Sequence, residues 1–155
     1  MAIVFEHGGL SLRTMEPQDL GTNRELRNDF STWLQLTQPG IIYPRTQQAF
    51  LDSLSDANNY LVACDPTHDF IGTVRLREYD ARNRSIQVGA DVAKKLRGQG
   101  YGRKIYCTLL KYCFDYLNCH RVWLCVLATN TLAKTLYEKM GFQIEGCYRE
   151  AVFRN

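Results

Sequence analysis

Arg97-Gly98-Gln99-Gly100-Tyr101-Gly102-Arg103-Lys104 is the stretch on which the reading of this chain turns. It follows an apolar run ending at Val92. It opens a helical pattern over residues 100–117, in which Ile105, Leu109, Tyr112, Cys113 and Tyr116 recur at spacings of three and four. Glycines at positions 98, 100 and 102 let the backbone approach a ligand without Cβ atoms in the way. The first N–H groups of a helix have no internal partners and sit at the positive end of its dipole. A pyrophosphate is the natural occupant of such a turn. Two better-known phosphate loops fail on spacing. The G-x-x-x-x-G-K-[ST] pattern is absent. A dinucleotide-binding redox domain would need G-x-G-x-x-G directly after its first strand, with an acidic residue about 20 positions later.

Outward from this turn the chain alternates short apolar runs with helical patterns. Leu10–Thr14 alternates as a strand. Asp19 is placed to cap a helix reaching Leu26 or Phe30. Pro39, Gly40 and Pro44 interrupt the chain, and residues 46–54 form a short amphipathic helix. Strands are expected over residues 60–64, 70–78 and 85–92, the last two joined as a hairpin by the polar turn 80–83. Residues 121–127 read as a central strand rich in β-branched and aromatic side chains. A helix over 130–140 ends at Gly141, and one or two final strands are expected over 142–153. The order is β α α β β β α β α β. This is an α/β (α+β) single domain over residues 1–155 with a mixed, mostly antiparallel sheet and about four helices.

Composition excludes several classes. The chain has 155 residues, 45% of them apolar and 23% charged, with a formal net charge of +3. That is an ordinary globular composition. The basic residues form no dense run, so nucleic acid is not an expected partner. No segment reaches the roughly 18 apolar residues of a membrane span. Residues 1–10 lack the pattern of a secretory leader, which points to the cytoplasm. The six cysteines, at 64, 107, 113, 119, 125 and 147, sit in patterned segments with no C-x-x-C pair. Most are expected to be small buried hydrophobes with free thiols, and no metal site is expected.

A second block completes the pattern: Asn130, Ala133 and Tyr137-Glu138-Lys139-Met140-Gly141-Phe142. The turn at 97–102 resembles the [QR]-x-x-G-x-[GA] pyrophosphate loop of the GNAT superfamily of N-acetyltransferases, and this block resembles its N-x-x-A-x-x-x-Y-x-K-x-G-F segment. Within the superfamily the chain looks most like spermidine acetyltransferases and ribosomal-protein N-terminal acetyltransferases. The resemblance implies a sheet splayed at the cofactor site and acetyl-CoA as co-substrate. It implies pyrophosphate contacts from Arg97, Gly98, Gln99, Gly100, Tyr101, Gly102 and Arg103. Pantetheine would run beside Ala90 and Val92 and contact Asn130, with Lys134 on the same helix face. Tyr137 would be the general acid near the thioester sulfur.

Acetyl transfer also needs a neutral amine. Several relatives carry a Glu on the fourth strand as base, but the aligned residue here is Gln87, which cannot act as one. Glu78, Asp80, Asp91 or a water chain are the alternatives. Gly89 and Asp91 fit a local bulge in that strand. The N-terminal half would form the acceptor wall, with Glu16, Asp19, Glu25, Asp29, Asp52 and Asp56 beside the aromatics Phe30, Trp33, Tyr43 and Phe50. Acids with aromatic walls suit a cationic amine, so a polyamine or similar small amine is favoured. A peptide α-amine is the alternative, and a CoA-binding sensor without catalysis is the competing class. Tyr43-Pro44 would be a flap over the acceptor. The superfamily's usual last strand is short or missing before Arg154-Asn155, and the exposed edge would favour a homodimer.

Overall fold

The computed structural model describes residues 2–153. Strands β1 (Ile3–His7), β2 (Leu10–Thr14), β3 (Asn58–Cys64), β4 (Gly72–Asp80), β5 (Ser85–Val92) and β6 (Arg121–Trp123) form one sheet in sequence order. Every neighbouring pair is antiparallel except β5 and β6. Helices α1 (Leu20–Asn28), α2 (Phe30–Trp33), α3 (Gln47–Asp52), α4 (Tyr101–Lys111) and α5 (Thr131–Lys139) flank it. The mixed, mostly antiparallel single domain expected from the sequence is therefore observed.

Alternation decides what each face of the sheet meets. Val74, Leu76, Ile86 and Val88 point to one face and pack on Ile105, Tyr106, Leu109 and Cys113 of the α4 segment. Tyr60 and Val62 point to the other and pack with Met15, Leu20, Phe50 and Leu54. Two ion-paired residues hold the second face in place. Arg13 and Asp19, both buried, make a double hydrogen bond at 2.7 and 2.8 Å, and Asp19 also accepts from the Glu16 N–H. Burial works against the Asp19 carboxylate, but the bonds from Arg13 and Glu16 outweigh it and lower its pKa.

Four local features differ from the sequence reading. A first strand, β1, precedes the expected one; Gly8-Gly9, at φ 59° and 77°, joins it to β2 in a hairpin turn that needs φ > 0 at both positions. The helix over 100–117 is α-helical only to Lys111, and its last turn, Tyr112–Tyr116, is π-helical. The bulge in the β4–β5 ladder lies between Arg77 and Asp80, at Glu78 with φ 51°, not at Gly89. A Cβ at Gly89 would instead meet the Arg75 guanidinium at 2.8 Å, so this glycine makes room for a side chain.

The fourth difference concerns the C-terminal part. The strand expected to be central, over 121–127, is three residues long and lies at the sheet edge. No strand forms over 142–153. A strand needs a ladder partner, and the outer edge of the sheet at β6 is only three residues long. Phe142 packs on Tyr106 and Tyr137, but beyond it Ile144, Tyr148 and Phe153 are 73%, 82% and 90% exposed.

Candidate active site

The glycine turn is held from three sides. Arg97 donates from Nε to the Val92 carbonyl at 3.0 Å, and from its two Nη atoms to Ser31 Oγ at 2.8 Å and Thr32 Oγ1 at 2.5 Å. Asp29 caps α2 beneath those hydroxyls and pairs with Lys94; its hydrogen bonds hold its pKa down at about 2. Gln99 closes the turn by donating to the Lys95 carbonyl at 2.9 Å. At the start of α4 the Tyr101 hydroxyl lies 3.2 Å from both Asp65 and His68, in the β3–β4 turn.

Gly98 and Gly100 have φ 74° and 83°, and nothing lies within 4 Å of where their Cβ atoms would be. Gly100 is the N-cap of α4 and supplies no side-chain cap. The first turn carries no acid, and Arg103 and Lys104 are exposed in it. Cations at the positive end of a helix dipole cost roughly 0.3–1 kcal/mol. An open, uncapped and doubly basic helix start is poor for the helix and well suited to a polyanion. The side chains of Arg97 and Gln99 are committed to building this turn. What the turn itself offers a pyrophosphate is its backbone N–H groups and Arg103.

The parting of β5 and β6 lies beside it. Their ladder holds only for Ser85, Ile86 and Gln87 against Arg121, Val122 and Trp123. Beyond Gln87 the edge of β5 that carries Ala90 and Val92 has no strand on that side among the described residues. That free edge fits an extended amide chain such as pantetheine. The Val92 carbonyl already accepts from Arg97. Asn130 is the N-cap of α5, accepting from the Ala133 N–H at 3.2 Å, and Lys134 lies one turn on, half-buried. A Cβ at Gly102 would touch Leu136 at 3.3 Å, so α4 and α5 lie close at this point.

Tyr137, two turns along α5, is half-buried and meets a residue that sequence reading did not single out. Buried Tyr106 of α4 donates its hydroxyl to the Tyr137 hydroxyl at 3.1 Å, and their rings stand edge to face 5.1 Å apart. Burial raises the Tyr137 pKa above its ordinary value, while the bond from Tyr106 and the charge of Arg75 pull against that rise. Tyr137 is thus a protonated, half-buried hydroxyl that accepts a hydrogen bond from a buried donor.

Across the sheet lies a charge array equally unforeseen. Asp91 is paired with Arg75 and, at 3.0 Å, with Arg27 of α1. Burial would raise the Asp91 carboxyl, but the two guanidinium groups outweigh it and hold the pKa low. Asp91 is therefore a poor base. Asp80 is committed too, its carboxylate accepting from the Asn83 backbone at 2.9 Å and side chain at 2.7 Å. Of the three, Glu78 lines a cavity of about 560 Å3. One signal for the array was present in the sequence: in the hairpin register Arg75 faces Gly89, a glycine opposite a long side chain.

Two adjoining cavities, of about 560 and 480 Å3, share Phe50, Tyr60 and Arg77 as a common wall. The second is bounded also by Asn23 and Arg27 of α1 and by Ile41 and Ile42. Of the ten residues expected to form the acceptor wall, Phe50 alone lines these cavities. Four of the six acids are employed elsewhere: Glu16 and Asp19 in the capping turn, Asp29 on α2, and Asp52 with Gln48. Among the described residues, no group of three or more His, Cys, Asp or Glu could hold a metal ion. All six cysteines are free, with Cys113 and Cys119 buried and Cys125 and Cys147 exposed.

Comparison with known proteins agrees with this geometry. Residues 10–143 match the family model of the acetyltransferase (GNAT) domain. The chain is 31% identical to the spermidine N(1)-acetyltransferase of Vibrio cholerae serotype O1, over 94% of its own length and 86% of that protein's. It is 24% identical to the spermidine N(1)-acetyltransferase of Escherichia coli K12, over 94% and 79% of the two chains. Its structure superposes on the crystal structure of the Vibrio cholerae spermidine N-acetyltransferase in complex with CoA and spermine, with a TM-score of 0.88 and 28% identity over 96% and 89% of the two chains. A dodecameric structure of the Vibrio cholerae enzyme matches with a TM-score of 0.76 and 29% identity, over 90% and 82%. The chain belongs to the GNAT family and is an acetyl-CoA-dependent N-acetyltransferase.

Proposed function

We propose that this enzyme moves the acetyl group of acetyl-CoA to a primary amine bound in the cavity beside Arg27 and Tyr60, with Tyr137 as general acid. The observation that carries the reading is the Tyr106–Tyr137 hydroxyl pair on two helices that meet beside the open turn and the free β5 edge. Backbone N–H groups from Gly98 to Gly102, with Arg103, would take the pyrophosphate. Ala90, Val92, Asn130 and Lys134 would line the pantetheine arm. The amine nitrogen attacks the thioester carbonyl, the C–N bond forms and the C–S bond breaks. The Tyr137 hydroxyl gives its proton to the departing thiolate. The proton lost by the amine leaves by water through the adjoining cavity, which Glu78 lines.

Spermidine is the first amine to test, because the named relatives acetylate it. A protein α-amine is second. A cytoplasmic location fits this co-substrate, and no helix among the described residues is long and apolar enough to cross a membrane. Self-association through the short β6 edge completes the reading, as the relative's dodecamer suggests. The test is thiol release from acetyl-CoA with and without each amine. The wild type is expected to turn over, and Tyr137→Phe to lose at least about tenfold in kcat with an unchanged KM for acetyl-CoA. Acetyl-CoA should also raise the melting temperature, by about 2.7 kcal/mol of stability at one hundred times Kd. Binding without turnover across every amine would favour a sensor and sink the catalytic reading.

A further inference from the structure

We infer that the acceptor is an amine whose own body carries an anionic group, a carboxylate or a phosphate, received by Arg77 and Arg27. The inference rests on the transferase reading above and names the substrate class of that same site. Arg27 and Arg77 both line the smaller cavity, and no carboxylate does among the described residues. Arg77 stands against Tyr60, donating to its hydroxyl with its guanidinium 5.5 Å from the ring centre. It has no ion-pair partner among the described residues. Arg27 shares its single carboxylate, Asp91, with Arg75. Two guanidinium groups thus share one carboxylate, and Arg77, with none, adds a further positive charge to the cavity wall. Glu78, next to Arg77 in the chain, lines the neighbouring cavity.

This arrangement is wrong for a polyamine. Spermidine keeps two ammonium groups after its reacting amine is deprotonated, and each would be brought beside guanidinium groups with no acid between them. It is right for a carboxylate or phosphate, which a planar guanidinium binds through paired N–H donors. Apolar Ile41, Ile42 and Phe50 leave room for an uncharged body between the two ends.

The test compares primary amines that differ in charge: phosphoethanolamine, β-alanine, ethanolamine and spermidine, with the full chain and saturating acetyl-CoA. The expected result is a kcat/KM for phosphoethanolamine or β-alanine at least about tenfold above that for ethanolamine, with spermidine lowest. The stronger of the two anionic amines identifies phosphate or carboxylate as the recognised group. Arg77→Gln should collapse the anion preference, and Arg77→Lys should keep part of it. A wild type that prefers spermidine, or an Arg77→Gln variant that keeps the full anion preference, overturns the inference. A preference for spermidine would leave the transferase reading intact. That reading fails separately, if acetyl-CoA neither binds nor stabilises the protein.

Discussion

Tyr106→Phe removes one oxygen atom and tests the acid assignment directly. The Tyr106 hydroxyl is 3.1 Å from that of Tyr137, and Tyr106 is 3% exposed. Phenylalanine keeps the ring in its edge-to-face contacts with Tyr137 and Phe142, at 5.1 and 6.3 Å, so the packing of α4 on α5 survives. What is lost is a neutral hydrogen bond, with a net value of about 0.5–1.5 kcal/mol. If that bond aims the Tyr137 proton at the thioester sulfur, its loss falls on the transition state. At about 1.36 kcal/mol per tenfold, kcat should drop roughly 2- to 12-fold, with the KM for acetyl-CoA unchanged. The pH profile supplies a second reading. Burial raises the Tyr137 pKa and Tyr106 pulls it back, so the variant's acid should hold its proton to higher pH. The alkaline limb of kcat, where activity is lost as Tyr137 deprotonates, should move upward. Thiol release across a pH series measures both. A Tyr106→Phe enzyme with wild-type kcat and an unmoved alkaline limb would refute the positioning role. If Tyr137→Phe were equally active, the acid assignment itself would fall.

Two further substitutions probe the scaffold. Asp91→Asn leaves Arg27 and Arg75 without their carboxylate and should cost about 3–5 kcal/mol, lowering the melting temperature by roughly 6–20 °C. Because the folded-state pKa of Asp91 is depressed, its contribution is present above the unfolded value near 4 and lost as pH falls through the folded one. The stability gap between wild type and variant should therefore close in acid, and a gap unchanged at pH 2 would contradict the pairing. Within the turn, Gly100→Ala forces a side chain into φ 83° and should cost roughly 1–2 kcal/mol and weaken acetyl-CoA binding. Gly102→Ala meets only the flexible end of Leu136, and calorimetry should find it close to wild type.

The elements that were legible share a cause. The α4 pattern, the β4–β5 hairpin and the α5 block are local, with periodicity and turn residues close together in the chain. Gly98, Gly100 and Gly102 likewise declared themselves, because a left-handed backbone and an uncapped helix start follow from residue type at fixed spacing. Where the reading went wrong, the competing influence was a partner. Residues 121–127 have strand composition, yet only Arg121–Trp123 lie alongside β5 before the two part. The apolar side chains of 142–153 lack a ladder to join. The acids of the N-terminal half looked like an acceptor wall by composition, but caps and ion pairs within the fold had already claimed Glu16, Asp19 and Asp29.

By itself, then, the sequence determined the elements proposed for the donor side: an open, glycine-rich helix start and, later, a helix bearing Asn130 and Tyr137, because both are written in short contiguous segments. The tertiary structure alone assembled the wall proposed for the acceptor. Arg75, Arg77 and Asp91 share the β4–β5 hairpin, but Arg27 reaches Asp91 from α1 across 64 positions and Tyr106 reaches Tyr137 across 31. No local pattern links either of those pairs. Charge and hydrogen-bond partners at a site depend on distance in space, which only the folded sheet and its helices set.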